Sequence, residues 1–135
     1  MNRTNRILVL CALLSLGAFA AARDSIEASP YGNVFADLIA AFHAERVPCE
    51  GVATGIAEVC FRAETVSASY LAERLSEIVN AYDSVGLSSG GWRSANGVWT
   101  VALTLPNDRF GQLEIYLAEV PENLVKGVVR LVSPR

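Results

Sequence analysis

Apolar residues recur in three rhythms along this chain of 135 residues. The first is an almost unbroken run, Ile7 through Ala20, interrupted only by Ser15 and Gly17. The second is helical. Phe35, Leu38, Ile39 and Phe42 trace one stripe, predicting a helix over Val34 to Arg46 that Asn33 caps and Pro48 ends. Asp37 near its start suits the helix dipole. Leu71, Leu75, Ile78, Val79 and Tyr82 trace a second stripe, with Glu73, Arg74 and Glu77 opposite. Ser69 is the natural cap there, and Gly86 is placed to end the helix in a left-handed turn on which Leu87 folds back.

After Ser88-Ser89-Gly90-Gly91 the period becomes two. Asn96-Gly97 is a strong hairpin turn, setting Ser94 opposite Trp99 and Trp92 opposite Val101. Trp99, Val101, Leu103 and Leu105 then alternate with Val98, Thr100, Ala102 and Thr104. Pro106 to Phe110 reads as a loop, Gln112 to Val120 as a strand, Pro121-Glu122-Asn123 as a turn and Lys126 to Val132 as a last strand. Pairing Leu103 with Leu113 sets Val101 against Ile115 and Trp99 against Leu117, so one face collects the large apolar residues. The reading is α+β: two helices on one face of a mainly antiparallel four- to five-stranded sheet, in the order α-β-α-β-β-β-β.

The N-terminal run has a different purpose. Arg3 and Arg6 precede it, no acidic residue occurs before Asp24, and it ends in Ala18-Phe19-Ala20 and Ala20-Ala21-Ala22, both small-x-small. That order is a secretory signal peptide over 1–22, cleaved after Ala20 or Ala22, with an uncleaved anchor as the alternative. Cys11, inside the apolar core and preceded by bulky Leu10, does not suit lipid attachment. Residues 23–32 read as a flexible leader and 33–135 as one domain. The expected location is secreted or periplasmic.

Export removes Cys11 and leaves Cys49 and Cys60, which are expected to form a disulfide in an oxidising compartment. A two-residue tip at Thr54-Gly55 would bring Gly51 opposite Glu58 and Cys49 opposite Cys60 on a strand from Gly55 to Ala63. An irregular loop stapled to a single strand would satisfy the pair equally well. Two cysteines with one histidine fall short of a zinc site, and no C-x-x-C redox pair exists.

Losing Arg3 and Arg6 also leaves 9 basic residues against 14 acidic ones, a net charge of −5. Nucleic acid and anionic membrane surfaces, which are bound by basic patches, are therefore not expected partners. Catalytic signatures are weak. His43 sits on a helix surface with no evident partner, Glu73 and Glu77 lie on a solvated face, and no G-x-S-x-G elbow occurs. The Gly90-Gly91 stretch reads as a connector, with anion binding by its N–H groups as the sharper alternative. No cofactor is implied.

The sheet's outer face is more informative. Thr100 falls beside Tyr116, and Tyr116 beside Arg130 if Leu117 faces Val129, with Glu114, Gln112 and Thr104 extending the surface. Trp92 and Arg93 form a second candidate surface at the hairpin edge, although the hairpin register turns Trp92 toward the core. The resulting expectation is an exported, non-enzymatic binding or interaction domain, its partner a small ligand or another envelope or secreted protein. A structural role through self-association of the sheet, or a hydrolase without a recognisable motif, are the alternatives.

Overall fold

The first helix, α1, spans Gly32–Ala41 and buries Val34, Phe35 and Leu38. It stops five residues short of Arg46. His43 takes a left-handed conformation (φ 48°), its N–H bonds the Ala40 carbonyl, and the Ala44 N–H reaches back to Ile39. These two bonds are a Schellman motif, which satisfies the last carbonyls and turns the chain out of the helix. Histidine tolerates this backbone better than most residues, so the single histidine is an exposed helix terminator. Asn33 lies inside the helix; the N-cap is Tyr31, with no side-chain capping bond.

The structure, a computed structural model, describes residues 26–51, 55–64, 67–106 and 111–133. The expected signal peptide, the start of the leader, the Thr54 turn tip and the loop at 107–110 lie outside the described residues. The second half of the leader, however, is part of the fold. Ser29 organises a turn by donating its hydroxyl to the Ile26 carbonyl (2.6 Å) and accepting the Tyr31 N–H (3.2 Å). Ile26 and Tyr31 are buried. The Tyr31 hydroxyl donates to the Gly111 carbonyl (2.7 Å) and accepts from the Leu105 N–H (3.1 Å), tying this turn to distant parts of the chain.

Helix α2 spans Ala68–Ala81 and buries Ala68, Leu71, Ala72 and Leu75. Its cap is Ser67, not Ser69: the Ser67 side chain accepts the Tyr70 N–H, and Glu119 accepts the Ala68 N–H at 2.9 Å. A carboxylate at this end also meets the positive pole of the helix. A short 3-10 turn, Asp83–Val85, follows, and Gly86 (φ 80°) closes it as expected.

Among the described residues the sheet has seven strands: β1 (Glu45–Val47), β2 (Ala57–Glu64), β3 (Ser88–Ser89), β4 (Arg93–Ala95), β5 (Val98–Thr104), β6 (Gln112–Val120) and β7 (Leu124–Val132). The order is β1-β2-β7-β6-β5-β3, with β4 also on β5, and every pairing is antiparallel. The α+β class holds, and the sheet is larger than four or five strands because β1 and β3 are three and two residues long. Such pieces are too short to show alternation.

Asn96 and Gly97 both have positive φ (52° and 77°), the conformation of a type I′ hairpin turn. Ser94 faces Trp99, and Leu103, Val101 and Trp99 face Leu113, Ile115 and Leu117, all as expected. Two registers differ. The loop Pro121-Glu122-Asn123 pairs Val120 with Leu124, so Leu117 faces Gly127 and Ile115 faces Val129. The displacement is by two residues, which preserves the faces. At the cysteines, Val47 rather than Cys49 lies opposite Cys60. Pro48, with no N–H to offer, ends the pairing, and the following loop returns to the sheet through the disulfide.

Both helices lie on the same face. Phe35, Leu38, Leu71 and Leu75 join Phe61, Leu103, Leu113, Ile115, Leu117, Val129 and Leu131 in one buried cluster. The opposite face of the sheet carries no layer among the described residues.

Candidate functional site

On that uncovered face, register places polar residues in rows across the strands. One row runs Glu58, Arg130, Glu114, Ala102 from β2 to β5; the next runs Cys60, Val128, Tyr116, Thr100, Arg93 from β2 to β4. Thr100 is beside Tyr116, as the sequence suggests. Arg130 lies opposite Glu114 rather than Tyr116, yet its guanidinium reaches diagonally to within 5.1 Å of the Tyr116 ring centroid. Long side chains span such diagonals readily.

Arg130 is held on its other side by Glu58, at 3.0 Å from Nε to Oε2, with the Glu58 side chain only 8% exposed. A charge-assisted bond in so dry a position fixes the guanidinium plane. Gly55 packs on the aliphatic part of Arg130, where a side chain would come within 2.6 Å of Cγ. The segment after Cys49 thus returns over this flank of the sheet, anchored by the Cys49–Cys60 disulfide. The two sulfur atoms and a Glu58 carboxylate oxygen lie within 4.8 Å of one another. Bonded to each other, the sulfurs present no thiolate, and this trio is not a metal site.

Glu114 is the centre of a second network. Its carboxylate accepts from the Tyr116 hydroxyl and from Gln112 Nε2 (3.1 Å), both neighbours on the same face of β6. Desolvation raises the Tyr116 pKa above its ordinary value, the bond to Glu114 and its negative charge raise it further, and Arg130 opposes them. The phenol is therefore a proton donor throughout the neutral range.

The far wall comes from a bulge. Ser89 pairs with Leu103 and the Gly90 N–H bonds the Ala102 carbonyl, but Arg93 pairs with Thr100. The edge therefore carries one more residue than β5 opposite it, a β-bulge at Gly90-Gly91-Trp92. Gly91 takes φ 84°, which a residue with a side chain would resist. Trp92 is on the core side, half-buried edge-on against Trp99 at 6.4 Å. Arg93 consequently emerges on the outer face.

Between this bulge and β6 lies an open concavity of about 420 Å³. Arg93, Thr100, Gln112, Glu114 and Tyr116 line it, with Gly90 and Gly91 forming a wall bare of side chains. The structure so brings together Arg93, Thr100, Glu114 and Tyr116, sets Arg130 just behind Tyr116, and sends Trp92 to the other face. Sequence reasoning missed Glu58, whose outward position is visible in β2 but whose partner strand is 60 or more residues away. It also read the glycines as a connector, although glycines beside a strand are a known bulge signal. No family model matches the chain, and no curated protein matches it.

Proposed function

We propose that this chain is an exported, non-enzymatic binding domain that takes its ligand on the outer face of the sheet. The observation that carries this reading is the polar concavity beside Arg93, on a face to which the helices contribute nothing. Its floor is pre-organised: Glu58 holds Arg130, Arg130 stacks on Tyr116, and Tyr116 and Gln112 hold Glu114. Side chains fixed before binding lose little freedom on binding. Edge-to-edge assembly finds a poor template, since one edge is the three-residue β1 bearing Glu45 and Arg46, and the other is interrupted by the bulge.

Export is supported by the order of basic, apolar and small residues in 1–22 and by the disulfide. Intact mass of the product recovered from outside the cytoplasm tests it. A chain beginning at Ala21 or Arg23, with two thiols appearing only on reduction, is the expected result; a full-length mass with free thiols would overturn it. For the surface, a small-molecule screen mapped by amide chemical shifts should move Thr100, Ala102, Glu114 and Tyr116. Hits that map only to the helices would overturn the assignment.

A further inference from the structure

The same concavity carries information about ligand chemistry, and the inference drawn here rests on the reading of that face as the binding surface. Arg93 is the cation of its lining. The guanidinium makes no ion pair and no side-chain hydrogen bond among the described residues, whereas Arg46, Arg62, Arg74 and Arg130 each have a carboxylate. Glu114 lines the same concavity but forms no ion pair with Arg93. That carboxylate already accepts from Tyr116 and Gln112 and lies opposite Arg130. The Arg93 donors are therefore unspent, and a ligand that uses them carries an anion.

The anion is not a phosphate held by a backbone nest. The Gly90 N–H is spent on the Ala102 carbonyl and the Gly91 N–H on Ser89 Oγ (3.1 Å), leaving no converging pair of backbone donors. A planar guanidinium with its donors free forks onto a carboxylate or a phosphate alike, and of the two the singly charged carboxylate is repelled less by the Glu114 carboxylate in the same lining.

The remaining lining is Thr100 Oγ1, the Gln112 amide, the outer lone pairs of Glu114 and one edge of Tyr116. These are donors and acceptors spread over a flat surface, spaced about 5 Å between strands and about 7 Å along one. They suit several hydroxyl groups fixed on one ring. An apolar ligand would strand them without partners. We infer that the concavity binds a sugar acid: a pyranose whose carboxylate engages Arg93 and whose hydroxyls lie over Thr100, Gln112 and Glu114. The open form accommodates a single ring or the end of a chain.

The test is calorimetric titration of the oxidised protein with galacturonate and glucuronate, beside galactose, glucose, acetate and inorganic phosphate. Saturable uronate binding is expected, with the neutral sugars and acetate at least about tenfold weaker, and weakening as salt rises. Arg93→Gln, at an exposed position, should leave folding intact by circular dichroism and lower uronate affinity about tenfold to a hundredfold, as loss of a charge-assisted bond does. Gln112→Ala should weaken uronate and neutral sugar alike, and Arg74→Gln on α2 should change neither. Acetate or phosphate binding as tightly as the uronates would overturn the hydroxyl recognition, and uronate affinity unchanged in Arg93→Gln would overturn the role of Arg93. If no sugar acid binds while other ligands still map to Thr100 and Glu114, this inference fails and the binding surface stands; if nothing maps there, both fail.

Discussion

Gly127→Ala is the smallest change with a large expected consequence. Gly127 is buried on the core face of β7, flanked by Phe61 of β2 and Leu117 of β6. A methyl group there would sit 2.1 Å from Phe61 Cζ and 2.4 and 2.6 Å from its two Cε atoms. The ring lies across the glycine and would have to withdraw by more than an ångström. It has little room to do so, being fully buried with the Phe42 ring at 6.0 Å. Gly127 is not in the left-handed region, so alanine would gain about 0.4–1 kcal/mol by restricting the unfolded chain. Overpacking of a tight core costs about 1–3 kcal/mol, and displacement of a whole ring belongs at the upper end. The net expectation is a loss of about 2 kcal/mol, or roughly 8–12 °C in Tm for a domain of this size. Urea unfolding followed by the fluorescence of Trp92 and Trp99 measures it, with an unchanged m-value expected. The decisive control is the Phe61→Leu background, where the space over Gly127 is vacated. There Gly127→Ala should cost less than about 0.5 kcal/mol, a coupling that a double-mutant cycle reads directly. A neutral Gly127→Ala in the parent chain, or an equal loss in both backgrounds, would refute the claim that this ring needs this glycine.

Removing the Cys49–Cys60 bridge, by reduction or by a double serine variant, should cost about 3 kcal/mol under the chain-entropy model; a midpoint indifferent to reductant would mean that the loop is held by other contacts. Ser67→Ala should destabilise by about 1 kcal/mol while Ser69→Ala stays within about 0.5, because the Tyr70 N–H bonds Ser67; the reverse result would move the helix start. The Tyr116 pKa is raised above 10.0 by desolvation and by the bond to Glu114, and that of Tyr82 by its bond to Asp37. A raised folded pKa stabilises the fold fully below pH 10, and this contribution fades as pH climbs through the folded value. Phenolate absorbance should thus show Tyr82 and Tyr116 ionising late, with one late tyrosine fewer in Tyr116→Phe than in the parent chain; an unchanged number in that variant would contradict the Glu114 contact.

What the sequence determined by itself was local or periodic. Helical stripes at Phe35–Phe42 and Leu71–Tyr82 placed two helices, alternation from Val98 to Val132 placed three strands, and Asn96-Gly97 and Gly86 announced their turns, because each signal sits within a few residues of its effect. The face of every long strand was legible for the same reason: alternation sets it before any partner is known. Partnership was not. That β7 lies between β6 and β2, bringing Glu58 to Arg130, depends on chain segments about 70 residues apart, and nothing in either segment names the other. The end of α1 is local too, set by the left-handed His43 and its bonds back to Ile39 and Ala40, but histidine is a weaker stop signal than glycine, and Pro48 stood as the visible one. At the site, the outward polar positions and the Thr100–Tyr116 neighbourhood were readable, but not the link from Glu58 to Arg130 or the glycine wall. The Asn96-Gly97 turn sets Arg93 against Thr100, and the one extra residue in the edge between Ser89 and Arg93 lays the glycine wall beside them. The bulge is defined by two registers on β5 that differ by one residue, a relation between segments that neither segment carries alone.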